Sequence, residues 1–253
     1  MSQQVNNNLP HSTPPIVPGR SFDPHATRYS ATLDATLGVG EGGGAYFAAL
    51  KVERLVRGGG RPPPAGFPPG SRILDFGCGT GTHTRLLAAA FPEAEIIGLD
   101  PSAASLAVAA SLGLPKARFL HFDGFHIPPE VKPCTVVFIS NVLHHVAHER
   151  HQDLLAAVRA VLSPGGRLWL FEHNPFNPLT RRVVRDCVFD RDARLLRPGY
   201  ATGLLRQAGF AEVQRRFMAF FPPALKSLLP LEALLGWLPL GAQYVCMARR
   251  PFS

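Results

Sequence analysis

Ile73-Leu74-Asp75-Phe76-Gly77-Cys78-Gly79-Thr80-Gly81 sets three glycines at alternate positions directly behind a short apolar run. An apolar run of this length that ends in glycine reads as a buried strand, and from Thr82 the spacing becomes helical, so the glycines mark a strand-to-helix turn. Without a Cβ, the backbone there can come close to a ligand and take up left-handed dihedrals. A dinucleotide loop of the form G-x-G-x-x-G would need glycine where Thr82 stands, so the spacing argues against a bound pyrophosphate. Asp75, just ahead of the loop, is placed to order it and its donors.

The pattern repeats on the C-terminal side of this turn. EIIGL, RFLHF, CTVVFIS and RLWLFE are short apolar runs, separated by helical patterns at 85–91, 102–112 and 148–162. The third of these helices is closed by the turn Ser163-Pro164-Gly165-Gly166. Five strands joined by helical crossovers predict an α/β fold with a parallel, doubly wound sheet. A helix over 201–207 stops at Gly209, and EVQRRFMAF and AQYVCMARR read as two late strands.

Two acids fall at the same sheet edge as the glycines. Asp100 ends the second strand nineteen positions after Gly81, where a carboxylate can accept both hydroxyls of a ribose. Asp123, in Phe122-Asp123-Gly124, ends the third, where it can accept a hydrogen bond from an exocyclic amine such as that of adenine. A glycine loop and two acids outline a nucleoside.

The run ILDFGCGTGTHT, followed by Asp100 and Asp123 at the next two strand ends, resembles the class I S-adenosylmethionine-dependent methyltransferases over residues 73–172. The resemblance implies a mostly parallel seven-stranded sheet with a C-terminal antiparallel hairpin. It assigns Asp75, Gly77, Gly79 and Gly81 to the methionine side of S-adenosylmethionine, Asp100 to the ribose and Asp123 to the adenine. Asn141 and Val142 match positions lining the sulfonium end, and Cys78, Pro101 and Gly124 complete the cofactor set as turn neighbours. The segments FDPHATRYSATLD and AYFAALKVERL look like the N-terminal cap of small-molecule members. The implied organisation is a disordered leader at 1–21, a helical cap and Pro/Gly linker at 22–70, and a methyltransferase domain at 71–253.

Methyl transfer from a sulfonium needs alignment, exclusion of water and sometimes removal of a proton. SNVLHHV puts His144 and His145 just past the fourth strand, and a neutral imidazole can act as a base near neutral pH. This segment is similar to the E-V-L-E-H-V type of quinone-related O-methyltransferases, with His145 as the matching histidine. Asn141 and His144 stand where that pattern has glutamates, which argues against a carboxylate-bound magnesium. His144, His145, His148 and His151 also space as H-H-x-x-H-x-x-H, which could bring His144 and His148 onto one ion. No acid completes a ligand set, so no metal is expected. Glu172, His173 and Asn174, at the end of the fifth strand, are candidates to touch the acceptor; EHNPFNPLT resembles a bacterial branch of the family.

The resulting expectation is O-methylation of a small or lipid-like acceptor in the cytoplasm. The rivals are a nucleic-acid-modifying or nucleic-acid-binding protein and a cofactor-binding protein without catalysis. The charge of +8 admits acidic partners of every kind. No RNA-binding module is visible, however, and Asn174-Pro175-Phe176 follows the wrong strand for a base-amino methyltransferase, so nucleic acid is not an expected partner. Cys78, Cys134, Cys187 and Cys246 are scattered and suit a reducing compartment. Arg181, Arg182, Arg185, Arg191, Arg194 and Arg197 interleave with Asp186, Asp190 and Asp192, as on a salt-bridged surface, although an anionic substrate would also suit them. Finally, 220–240 is an apolar insert, too proline-broken to span a membrane, expected as two short helices bent at Pro230. Its leucines and Trp237 could form a lid, a homodimer contact, a peripheral membrane contact or plain core.

Overall fold

The computed structural model describes Asp23 and residues 29–37, 42–58, 68, 70–190 and 192–252. The expected leader, most of the linker and Arg191 lie outside the described residues.

The strands are β1 (Arg72–Phe76), β2 (Glu95–Asp100), β3 (Ala117–His121), β4 (Cys134–Ser140), β5 (Leu162–His173), β6 (Ala211–Met218) and β7 (Gln243–Arg249). They form one seven-stranded sheet in the order β3-β2-β1-β4-β5-β7-β6. The first five pair in parallel, while β7 runs antiparallel to both β5 and β6. This is the expected mostly parallel, doubly wound sheet with its C-terminal hairpin. The helices are α1 (Tyr29–Leu37), α2 (Gly43–Val56), α3 (Thr82–Ala90), α4 (Ala103–Ala110), α5 (His151–Val161), α6 (Pro178–Asp186), α7 (Pro198–Gln207) and α8 (Glu232–Leu235).

Strand alternation divides the apolar side chains between two faces. Leu74, Ile97, Val137, Ile139, Leu168 and Leu170 pack on one side with Leu154, Leu155 and Val158 of α5 and Leu204 and Leu205 of α7. Ile73, Ile96, Val136, Phe138, Trp169 and Phe171 face the other way, toward Leu50, Val52 and Leu55 of α2 and Leu87 of α3. Every one of these strand side chains is at most 2% exposed. Parallel order brings the carboxyl ends of β1, β2, β4 and β5 to one edge, and the crossover where β1 leads outward to β2 and β4 lies on its other side creates the crevice there.

Two expectations need correction. Ser163-Pro164-Gly165-Gly166 does not separate α5 from the strand but is carried within β5 as a bulge: Cys134 pairs with Leu162 and Val136 with Arg167, so the intervening residues loop out of register. In the insert, the kink falls at Leu225 (φ −111°, ψ 25°), and Pro230 is accommodated within a 3-10 helix spanning Pro223–Leu231 that leads into α8. The insert is moored by Glu232, whose carboxylate accepts from Phe220 N–H (2.7 Å) and Ala219 N–H (3.3 Å). Tyr46 of α2 donates to Phe221 O at 3.0 Å. Its outer side leaves Leu231, Leu234 and Trp237 exposed. Among the described residues, no helix is long and apolar enough to cross a membrane.

Candidate active site

The glycine loop is built from three different demands. All three glycines have positive φ (74°, 52° and 81° at Gly77, Gly79 and Gly81), which disfavours any side chain there. A Cβ on Gly77 would lie 2.5 Å from Val142 Cγ2, and one on Gly81 would lie 2.8 Å from Leu112 Cδ1, so these two let the loop seat against the end of β4 and against the segment after α4. A Cβ on Gly79 would meet nothing within 4 Å: it projects into open space at the sheet edge. Gly98 in β2 makes room from below, since a Cβ there would fall 2.9 Å from Cys78 Sγ. Cys78, expected in the cofactor set, therefore turns its side chain under the loop and leaves only its backbone at the edge.

The acids hold this shape. Asp75 is 1% exposed and accepts from Thr84 Oγ1 at 2.6 Å, tying β1 to α3 across the loop. Burial pushes its carboxyl up to about 7, with the Thr84 hydroxyl pulling the other way. Asp100 accepts from Gly79 N–H and Ser102 N–H, both at 2.8 Å. Burial raises its pKa against these two bonds. Each carboxylate oxygen has a second lone pair, so Asp100 retains capacity for a ligand's hydroxyls. Next to it, the Pro101 carbonyl is 3.1 Å from His121 Nε2. Asp123 stands two residues past β3, where its Oδ1 accepts from Phe125 N–H (2.8 Å) and His126 N–H (2.7 Å), and Gly124 takes φ 91° in the same turn. Slight burial opposes ionisation of Asp123, but these bonds and the His126 ring hold it down at about 2.

Opposite the loop, Asn141 leaves β4 at φ 57°, a left-handed conformation uncommon outside glycine, and its N–H donates to Phe171 O at 2.9 Å. Its Oδ1 is buried without a hydrogen-bond partner. An orphaned acceptor costs about 1–3 kcal/mol. Together with the open cradle at Gly79 and the spare lone pairs on Asp100, it gives a set of acceptors that fits the hydroxyls of a nucleoside and the ammonium of an amino-acid tail.

Beside Asn141, a chain of ionisable groups fills the ends of β4 and β5. Glu172 is fully buried; it accepts from Leu143 N–H at 2.9 Å and from His144 Nδ1 at 2.5 Å. His144 Nε2 and His145 Nε2 lie 3.5 and 3.4 Å from Asp190 Oδ1. Burial alone would lower the His144 pKa, but Glu172 and Asp190 raise it to about 9. Burial holds His145 below its ordinary value and, helped by His144, lowers His173 to about 3. Asp190 stays ionised: burial opposes its charge, and the surrounding imidazoles hold its pKa well below the carboxylate range. His144 thus carries its proton between two carboxylates, whereas His145, with 24% of its side chain exposed, and His173 are neutral near pH 7.

Several expected residues take other places. Asn174 does not face an acceptor: its amide donates to Pro239 O (3.1 Å) and Gly241 O (2.7 Å), and its oxygen accepts from Phe176 N–H (3.1 Å), so it fastens the end of β5 to the insert. His144 is too enclosed to meet an acceptor. His148 does not join it, because 143–145 and 148–150 are separate 3-10 turns and His148 stacks near His151 and Tyr200. Of the Arg/Asp run, Asp186 pairs with Arg185 (2.9 Å) and Arg182 (3.8 Å) as a surface would, while Asp190 turns inward.

Lys51 and Asp190 were not anticipated. Lys51 of α2 is 3% exposed and donates to Ser140 Oγ at 2.7 Å. Burial lowers its pKa to about 7, against the pull of Glu172. The signal was present, because Phe47, Lys51 and Leu55 share one helical face. Asp190 carries no comparable signal in sequence.

Comparison with known proteins agrees with this geometry. Residues 73–166 match the family model described as "Methyltransferase domain". A protein named trans-aconitate 2-methyltransferase from Deinococcus radiodurans is 31% identical over 180 residues, covering 67% of this chain and 68% of that protein. The chain belongs to the class I S-adenosylmethionine-dependent methyltransferases. Another methyltransferase of the same printed name, from Pseudomonas paraeruginosa, is 43% identical over 97 residues, or 38% of this chain and 34% of that protein. The chain spans 34%, 54% and 44% of the length of the first three curated methyltransferases it matches. A solved Thermotoga maritima methyltransferase, described as a possible histamine N-methyltransferase, shares the fold with a TM-score of 0.63 at 17% identity, covering 91% of this chain and 98% of that one.

Proposed function

We propose that this chain transfers a methyl group from S-adenosylmethionine to an oxygen of a small acidic acceptor. The observation that carries the reading is the open cradle at Gly79, bounded by Asp100 and the unpartnered Asn141 Oδ1. S-adenosylmethionine, when bound, supplies a methyl group already activated on a sulfonium. Asp75 and Thr84 fix the turn, Gly79 admits the ligand to the backbone, and Asp100 holds the ribose. Asp123 and its turn take the adenine, and Asn141 and Val142 line the methyl-bearing end.

Proton removal falls to His145. It is neutral near pH 7 and partly exposed, with Nε2 3.4 Å from Asp190 Oδ1, and a neutral imidazole can take up a proton in this range. The amine of Lys51 spends one donor on Ser140 and keeps others for a carboxylate-bearing acceptor. The names of the relatives, as trans-aconitate methyltransferases, support the same class. In this reading residues 22–70 are a cap that completes the site through Lys51, and 71–253 are the methyltransferase domain. The four buried free cysteines support a cytoplasmic setting.

Calorimetry with S-adenosylhomocysteine tests the cofactor half. Asp100→Ala removes charge-assisted bonds worth about 1.5–3 kcal/mol, so the affinity falls about 10- to 100-fold. Unchanged affinity in a folded variant overturns the ribose assignment. Isotopically labelled cofactor with a panel of small carboxylic acids tests the acceptor half, and methyl transfer to none of them while an amine is labelled would overturn it.

A further inference from the structure

The histidine–carboxylate cluster has a second property. His144 donates its Nδ1 proton to Glu172, and its Nε2 faces Asp190 Oδ1 across 3.5 Å. That nitrogen is wholly buried and has no hydrogen-bond partner. A charge-assisted N–H···O bond would close to about 2.7–2.9 Å. Two donor atoms of one tetrahedral zinc ion, with bonds of about 2.0–2.1 Å, lie about 3.3–3.4 Å apart. The observed gap matches the second arrangement better than the first.

The third member is His173, at the end of β5. One ring nitrogen each from His144 and His173 and one oxygen from Asp190 all lie within 4.8 Å of one another. The three come from separate segments: the turn after β4, the end of β5 and the turn after α6. Glu172 stands where a metal-bound imidazole normally has a carboxylate on its other nitrogen, and Leu143 N–H fixes that carboxylate in turn. Sequence spacing argues against a metal because no acid there completes a ligand set; folding supplies Asp190.

We propose that His144 Nε2, His173 and Asp190 bind a divalent first-row transition ion, zinc by donor type, with Glu172 orienting His144 and the ion displacing the Nε2 proton of His144 to solvent. Two imidazoles and one carboxylate suit zinc and its neighbours better than the hard, all-oxygen preference of magnesium or calcium. Three protein ligands leave a fourth position open, as in zinc sites that bind a substrate oxygen. Given the methyl-transfer reading, that position takes an oxygen of the acidic acceptor and holds it near the methyl-bearing end of the cofactor.

The test uses the full chain, stripped with a chelator, titrated with zinc by calorimetry and with cobalt(II) by visible absorption. One zinc per chain is expected, with the d–d bands of four-coordinate cobalt. Asp190→Asn and His173→Ala abolish the site, and Glu172→Gln, nearly isosteric, weakens zinc about 10- to 100-fold. His148→Ala, outside the cluster, leaves it unchanged. S-adenosylhomocysteine affinity, measured on every sample, separates loss of zinc from loss of fold. A chain that binds S-adenosylhomocysteine but takes up no zinc overturns the site alone and leaves methyl transfer standing. So does zinc binding that survives both Asp190→Asn and His173→Ala. Zinc uptake without S-adenosylhomocysteine binding would instead sink the methyl-transfer reading and keep the metal.

Discussion

Replacing Lys51 by methionine is expected to stabilise the protein at neutral pH. The unfolded chain holds this amine at an ordinary 10.5 while burial lowers it to about 7 in the fold. The unfolded state therefore binds more protons between these values, and stability contributed by this group rises with pH across that window. At pH 7 the displaced proton costs roughly 4 kcal/mol. The hydrogen bond to Ser140 returns about 1 kcal/mol. Methionine keeps the apolar stem, so the variant gains about 3 kcal/mol at pH 7, or roughly 6–12 °C in Tm for a domain of this size. Urea unfolding of both proteins at about pH 7 and about pH 9.5 reads the effect, with the advantage shrinking to about 0.5 kcal/mol at the higher pH. A gap that is equal at both pH values, or a variant less stable at pH 7, would refute the reasoning. It would mean that Glu172 keeps the ammonium charged inside the fold.

Gly81→Ala strains φ 81° and drives a Cβ to 2.8 Å from Leu112, so it should lower stability by about 2 kcal/mol or more in denaturant melts. Gly79→Ala meets no protein atom and should cost only about 1 kcal/mol of stability while weakening S-adenosylhomocysteine at least tenfold by calorimetry. Asn174→Ala leaves Pro239 O and Gly241 O without their donor; melting should drop by about 1–3 kcal/mol with cofactor affinity unchanged. His145→Ala should reduce kcat about 100-fold with little change in cofactor affinity, and wild-type turnover would leave alignment as the whole mechanism.

The sheet was legible because its signals are local. Apolar runs of strand length, helical spacing between them and glycine at several of the turns all agree on one architecture. The glycine loop and Asp100 were equally legible, because a ligand at a strand end needs its backbone and its acid at set distances along the chain. The acceptor end was not. His144 and Glu172 were both picked out, but nothing in their separation shows that one orients the other. Asn174 looked like a reactive amide because sequence does not show Pro239 O and Gly241 O waiting for its protons. Asp190 hid in a run where only Asp186, among the described aspartates, takes up the expected pairing with Arg182 and Arg185, and Lys51 was legible only as a charge on an otherwise apolar helical stripe. Such partners are chosen by tertiary contact between segments far apart in the chain.

The residues proposed to shape the cofactor end (Asp75, the three glycines, Asp100, Asp123 and Asn141) all fall within the stretch matched by the family model, 73–166. At the acceptor end, Lys51, Glu172, His173 and Asp190 fall outside it, while His144 and His145 fall inside. Selection can therefore rewrite acceptor preference by drifting the flanking tracts, with the nucleoside cradle held constant as an inherited chassis. A chimera carrying residues 73–166 of a distant relative on these flanks, with His144 and His145 retained, would keep this protein's acceptor preference, while the reciprocal graft would import the other's.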